Sequence, residues 1–404
     1  MISLPKDPHW LGIRFPHLAL DIVTRSQNGR GLPIAVSETI GRREQVVDCN
    51  PAALEGGVKP GMPATAALGI LGGLQLMTRD RTTEKTVLLH LAAWCYQYSH
   101  QVCVPDDRAG LFLEAGASER LFGRPEHLGK CLKQELSRLG YHAVVGCAPT
   151  VEAAWLAARE HLTIDSTGDL RRQLGPLPLS RLHLDGTCLQ AMEKMGFRQL
   201  RDLLRLPRRS LTRRFGPVLP DYLDRLLGAR SDPRILYQPP EAFVSKLELP
   251  AEIHVCHALL FPLKRLLEEL CGVLRGGDTA VQLLRITLGH EDHEDSCIEL
   301  GLQSPSQDIE RLMTVLRERL ERLRLPQAVR EIRLEAPRLL KLEAGQASLF
   351  RDTPGERKQD IAQLAERLQA RLGDSAVMGI TGVEDHRPEY SWRPRPLHER
   401  AACA

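Results

Sequence analysis

"RAGLFLEAGASERLFG", residues 108–123, decides the fold. Leu111, Phe112 and Leu113 form a short apolar run that is closed by Gly116, the pattern of a buried strand over residues 110–115. Ser118 then reads as an N-cap that opens a helix at Glu119.

Strand and helix signals alternate on both sides of this run. "WLGIRF" (10–15) is a strand, and Pro16 ends it and starts a helix through "HLALDIVTRS" (17–26). "PIAVSE" and "EQVVDC" are short β-like runs. Residues 84–101 carry Val87, Leu88, Leu91, Trp94, Cys95 and Tyr98 at helical spacing. A helix near 126–138, the strand "HAVVGCA" (142–148) and the helix "TVEAAWLAARE" follow. The expectation for residues 1–170 is a mixed sheet with helices packed on it.

Residues 171–230 change character, with short helices separated by Pro and Gly. "ARSDPRILYQPPEA" (229–242) is polar and Pro-rich and reads as a linker, bounded as a domain connection at 231–242. Residues 243–340 predict strand, helix, two strands, helix and strand, a β-α-β-β-α-β unit. A tail, 341–404, completes an α+β multidomain chain.

Composition narrows the classes. A chain of 404 residues is long enough for two to four domains, and 43% hydrophobic content is enough for real cores. A net charge of +3 by itself does not argue for a nucleic-acid partner. Ten cysteines with no C-x-x-C spacing predict inert thiols in a reduced, cytoplasmic setting. The N-terminus lacks the pattern of a secretion signal, and no apolar run reaches the ~20 residues that span a bilayer, so no membrane association is expected. No G-x-x-x-x-G-K-[ST] phosphate loop occurs, and no cofactor is predicted.

Three segments in this order resemble the Y-family translesion DNA polymerases from residue 9 to about 340. "VVDCNPAALEGGVKPGMPATAAL" (46–68) is similar to the fingers motif, with its turn at Gly57, Val58, Gly61 and Met62. "LFLEAGASERLFG" followed by "VVGCAPTVEAAWLAA" is similar to the palm strand and its supporting helix. "MGFRQLRDLLRLP" is similar to the helix-hairpin-helix of the thumb. The resemblance implies a palm and fingers, a helical thumb, a linker and a little finger. It is nearest to the catalytically silent branch of the family, the polymerase-like subunits of bacterial mutasomes.

The departures carry as much meaning as the matches. Nucleotidyl transfer needs carboxylates that hold two metal ions on the triphosphate. The resemblance places the family's acids at Ile13, Phe15, Ala109 and Gly110, none of which offers a carboxylate. It places the family's sugar-gating Tyr and phosphate-gripping Arg at Pro51 and Leu54, whose side chains cannot hydrogen-bond a phosphate. The expectation is a chain without catalysis. The alternative is an active polymerase using displaced carboxylates from among Asp106, Asp107, Glu114, Asp21 and Asp48.

Other clusters complete the inventory. Arg208, Arg209, Arg213 and Arg214 sit on one short helical segment, with 209 and 213 at i,i+4 spacing, as candidate phosphate contacts. The family's hairpin G-x-G reads Leu184-Asp185-Gly186 here, so close backbone approach to phosphate is not expected there. The resemblance adds Lys246, Arg285 and Arg333 as strand residues facing DNA. "GHEDHED" (289–295) reads as a polar hairpin loop and "HVCH" lacks paired cysteines, so no metal site is predicted. "GQASLF" (345–350) resembles the bacterial sliding-clamp binding pentapeptide, with Gln346, Ser348, Leu349 and Phe350 as its contacts. "DIAQLAERLQARLG" (360–373) is an amphipathic helix, with Ile361, Leu364, Leu368 and Leu372 on one side, suited to partner docking.

The function expected is a hub of translesion synthesis and damage-induced mutagenesis. It would bind the sliding clamp (beta clamp) and, weakly, primer-template DNA. The resemblance alone supplies two further partners, an error-prone C-family DNA polymerase and a RecA-like accessory mutasome protein.

Overall fold

The structure, a computed structural model, describes residues 8–26, 31–342, 354–373, 376–384 and 386–395. The first α/β unit runs β1 (Trp10–Arg14), α1 (Leu18–Thr24), β2 (Ile34–Ile40), β3 (Arg43–Cys49), α2 (Pro51–Glu55), α3 (Ala64–Ile70), β4 (Gln75–Thr78) and α4 (Arg81–Cys95). It continues with β5 (Val102–Cys103), β6 (Gly110–Glu114), α5 (Glu119–Phe122), α6 (Pro125–Arg138), β7 (Val144–Ala148) and α7 (Val151–Glu160).

The expected single mixed sheet is two sheets. One has the order β5-β6-β1-β7 and is antiparallel throughout; the other has the order β3-β2-β4, with β2 and β4 parallel. Periodicity identified the strands, but it does not encode which strand pairs with which. In the larger sheet Leu11, Ile13, Leu111 and Leu113 face one core, while Phe112 turns to the other side and packs on Val151 and Trp155 of α7. This is the period-two alternation of a strand covered on both faces.

Ser118 does not act as an N-cap. It ends a short 3-10 turn, and its hydroxyl donates to the Tyr98 carbonyl at 2.6 Å, fastening the turn to the segment after α4. That helix also stops at Cys95, earlier than its apolar spacing implied.

Five helices follow: α8 (Thr167–Leu174), α9 (Gly186–Lys194), α10 (Leu200–Leu204), α11 (Arg208–Phe215) and α12 (Val218–Leu226). They enclose their own core around Leu170, Met192, Leu203 and Tyr222 and continue it onto α7. Thr150 caps α7 through the Ala153 amide and donates its hydroxyl to the Leu226 carbonyl at 2.8 Å, joining α7 to α12.

The β-α-β-β-α-β order is present as β8 (Phe243–Ile253), α13 (Leu260–Gly276), β9 (Thr279–Gly289), β10 (Ser296–Ser306), α14 (Ile309–Arg322) and β11 (Val329–Ala336). The sheet order is β10-β9-β11-β8, and β12 (Leu340–Lys341) adds to β9. Its buried side, with Leu247, Leu284, Ile286, Ile332 and Leu334, lies in the same core as Leu91, Trp94, Leu128 and Leu136 of the first unit.

Two expectations for the connections change. Residues 229–242 are seated along the body: the Tyr237 amide donates to the Val102 carbonyl at 2.7 Å, and Arg234 pairs with Glu152 at 2.7 Å. The tail helix, α15 (Pro354–Leu372), packs on α14 and β10 through Glu366, Gln369 and Ala370. Its apolar residues Ile361, Leu364, Leu368 and Leu372 face outward, the reverse of ordinary amphipathic packing. A hairpin of β13 (Gly379–Gly382) and β14 (Trp392–Arg395), which the sequence did not disclose, follows it.

Candidate active-site region and nucleic-acid interface

The place where the resemblance puts a metal site is built by β1 and β6. Ile13 pairs with Leu111 and Arg14 with Gly110, and the Phe15 amide donates to the Ala109 carbonyl at 3.1 Å. Ile13 is 0% and Phe15 2% exposed, so both side chains are spent on the core. Ala109 is half-buried against the same core. Gly110 is closed from the other side. A Cβ there would lie 2.4 Å from the Ile13 carbonyl oxygen and 2.5 Å from the Trp155 ring. None of these four side chains offers an oxygen to a cation, so they do not fit a magnesium pair, and no step through a metal follows from them.

Arg14 and Arg108 both lie over the Trp155 ring, at 4.9 and 5.2 Å from its centroid. Arg108 makes a bidentate contact with Glu152 at 3.1 and 3.3 Å, and Arg234 adds to the same carboxylate. Burial and the Arg159 charge lower the pKa of Arg14. The pairs with Glu152 and Asp107 outweigh burial and raise that of Arg108. Cations and one buried carboxylate therefore occupy this side of β6.

The five displaced acids do not converge. Asp106 pairs with Lys85, and Asp107 with Arg108 and His183. Glu114 accepts from the amides of Gly116 and Ala117, at 2.8 and 3.1 Å, and so caps its own turn. Asp21, 1% exposed, accepts from the His142 amide at 2.8 Å and from Nδ1 at 2.6 Å; burial raises its pKa against these bonds. Asp48 accepts from His17 Nδ1 at 2.7 Å. Among the described residues no group of three or more His, Cys, Asp or Glu side chains is arranged to hold a metal ion.

In the smaller sheet's unit, Pro51 is the first residue of α2, and the Asn50 side chain caps that helix through the Ala53 amide. Leu54 is exposed on the same helix.

The basic residues divide into two groups. Arg208 is held by Asp221 and Asp224. Arg209, Arg213 and Arg214 are exposed on α11 and make no ion pair among the described residues. On the open face of the five-stranded sheet every predicted DNA contact has an acid beside it. Lys246 pairs with Glu331 at 2.6 Å, Arg285 with Glu299 at 3.1 Å and Arg333 with Glu335 at 2.6 Å. Cross-strand register puts Glu335 opposite Arg285 and Arg333 opposite Lys246, so the face is a lattice of both signs. Residue type announced these cations; Glu335 shares a strand face with Arg333, but Glu299 and Glu331 became neighbours of Arg285 and Lys246 only through strand pairing.

The segment with Gln346, Ser348, Leu349 and Phe350 lies outside the described residues. No helix among the described residues is long and apolar enough to cross a membrane.

Residues 22–159 match the impB/mucB/samB family model. The chain is 26% identical over 337 residues to Protein ImuB of Caulobacter vibrioides, in strains NA1000 / CB15N and ATCC 19089 / CIP 103742 / CB 15, covering 83% of this chain and 73% of the relative. Among solved structures, DinB from Sulfolobus solfataricus is 18% identical with a TM-score of 0.45. A post-insertion binary complex of Dbh DNA polymerase is 16% identical with a TM-score of 0.47. Both cover 83% of this chain and 100% of their own.

Proposed function

We propose, from a chain whose residues 22–159 form an impB/mucB/samB-family domain, that the protein is a polymerase-like platform without nucleotidyl-transfer activity. One observation carries this reading. At the positions matched to the family's acids, Ile13 and Phe15 are sealed in the core and Gly110 has no room for a side chain. Building a two-metal site there would require carboxylates on the buried face of β1, where desolvation opposes the charged form.

The platform would work by assembly. Gln346, Leu349 and Phe350 supply a polar contact and an apolar anchor for a sliding clamp. Arg209, Arg213 and Arg214, unpaired among the described residues, supply contacts to the phosphates of primer-template DNA. Lys246, Arg285 and Arg333 would add to that contact only by leaving their acids, which makes α11 the stronger DNA element. The similarity to ImuB proteins supports a place in damage-induced mutagenesis beside an error-prone C-family polymerase and a RecA-like accessory protein.

The test is primer extension by the purified chain with Mg²⁺ or Mn²⁺, run beside clamp and DNA binding. The reading expects no nucleotide added and both ligands bound. Template-dependent extension that co-purifies with the chain overturns it in favour of an active polymerase.

A further inference from the structure

We propose that the β-α-β-β-α-β unit is latched to the first α/β unit, so that the two move as one body and residues 229–242 act as a brace and not as a tether. The observation that starts the argument is a glycine pair on α13. A Cβ on Gly272 would fall 2.0 Å from Trp94 Cδ1 and 2.2 Å from Nε1. A Cβ on Gly276 would fall 2.7 Å from the Gln97 amide nitrogen and 2.9 Å from the Tyr96 carbonyl carbon. The two glycines are four residues apart and share a helix face. They remove the side chains that would hold α13 away, at Gly272 from Trp94 of α4 and at Gly276 from the turn after it, so two consecutive turns of α13 lie against the C-terminal end of α4.

A polar contact lies beside this seam. Arg25 of the segment after α1 donates to Glu269 of α13 at 2.7 Å, with side chains 3% and 1% exposed. Ser245 of β8 reaches the same carboxylate at 3.5 Å, and the Arg25 guanidinium stacks 4.7 Å from the Tyr141 centroid. Ser26 donates to the Glu248 carbonyl of β8 at 3.1 Å. Residues separated by more than two hundred positions are thus joined by a buried ion pair, which separation would leave as two uncompensated charges.

Around the seam, Leu91 and Trp94 of α4 share a continuous core with Leu263, Leu267 and Leu270 of α13. A freely swinging unit would expose those leucines to water each time it moved. The space left between the units is a cleft of about 510 Å³, with Met77, Val87 and His90 on one side and Val244 and Lys246 on the other. That is the size of a small-molecule pocket. The connection is fixed at both ends: Arg234 on Glu152, Tyr237 on Val102, and the Leu339 amide on the Glu241 carbonyl at 3.2 Å.

Hydrogen exchange on the full chain is the direct test. The latched body requires the amides of Leu88–Cys95 and Leu266–Leu274 to become exchangeable in one common opening, and residues 229–242 to resist protease under native conditions. Gly272→Leu drives a side chain into Trp94, and the expected result is at least tenfold faster cleavage within 229–242 while the helical core at Leu170–Leu226 keeps its protection. Glu269→Gln, which keeps shape and removes the charge, should accelerate the same cleavage to a smaller degree if Gly272→Leu fails to fold. Exchange of α13 independent of α4 in the unaltered chain overturns the latch. So does rapid native cleavage that releases the β-α-β-β-α-β unit intact.

Discussion

Arg311 Nε donates to Glu366 Oε2 at 2.9 Å, and this carboxylate, with Gln369 and Ala370 beside it, fastens the tail helix to the body. Both side chains are buried, at 7% and 0% exposed, and Glu366 also accepts from the Gln303 amide of β10. The helix keeps Glu366 inside and its Ile361 and Leu364 outside, so the usual reason for a helix to dock is reversed here. Glu366→Ala removes the acceptor and leaves a buried guanidinium, a loss of about 3 kcal/mol or more. Hydrogen exchange should show α15 released while α13 and α14 remain protected. Replacing Arg311 and Glu366 together by Met should recover most of the loss, because the pair stabilises chiefly by compensating its own desolvation.

Restoring acids should not restore chemistry. Ile13→Asp places a carboxylate at a position with 0% exposure, and burial pushes its pKa up and destabilises the charged form. Gly110→Glu meets the Ile13 carbonyl and Trp155 at once. Each change should lower the melting temperature and leave primer extension at zero. Measurable extension by either variant would show that the site is closer to activity than its packing allows.

DNA affinity should follow α11. Replacing Arg209 and Arg213 by Ala should reduce the dependence of log K on log salt by about one to two contacts. The same experiment with Lys246 and Arg333 should change the slope less, since each already has a carboxylate partner. Equal effects from the two pairs would mean that the acids of the sheet release their partners to DNA.

Clamp binding should rest on two residues. Leu349→Ala with Phe350→Ala should weaken it at least tenfold, with thermal unfolding of the body nearly unchanged. Titration calorimetry and a melting curve on the same preparation separate recruitment from packing.

The thiols should sort by burial. Burial pushes the Cys103 thiol up to about 11 and Cys147 and Cys271 up to about 12. A raised thiol pKa leaves little thiolate near neutrality. At pH 8 a thiol-alkylating reagent should therefore modify exposed Cys297 first among the nine described cysteines, with Cys103, Cys147 and Cys271 labelled only after unfolding. Early modification of Cys147 would show that β7 opens readily.

The local elements were legible because their causes are local. The apolar run Leu111–Leu113 and the helical spacing of Val87, Leu88, Leu91 and Trp94 each act within a few residues. The β-α-β-β-α-β order could be read the same way, as could the lack of carboxylates at Ile13, Phe15, Ala109 and Gly110, which is a matter of residue type. Only tertiary structure decided the rest. The sequence of α11 and of the strands presents arginines alike, but pairing brought Glu299, Glu331 and Glu335 beside one set and left Arg209, Arg213 and Arg214 without partners among the described residues. The stripe on α15 specified a face that could be buried, yet the Glu366–Arg311 pair buried the opposite one. Gly272 reads as an ordinary helix residue until Trp94, 178 positions earlier, is found against it. A sequence fixes what each segment can bury; which partner buries it depends on contacts between residues far apart in the chain, and those exist only after the chain has folded.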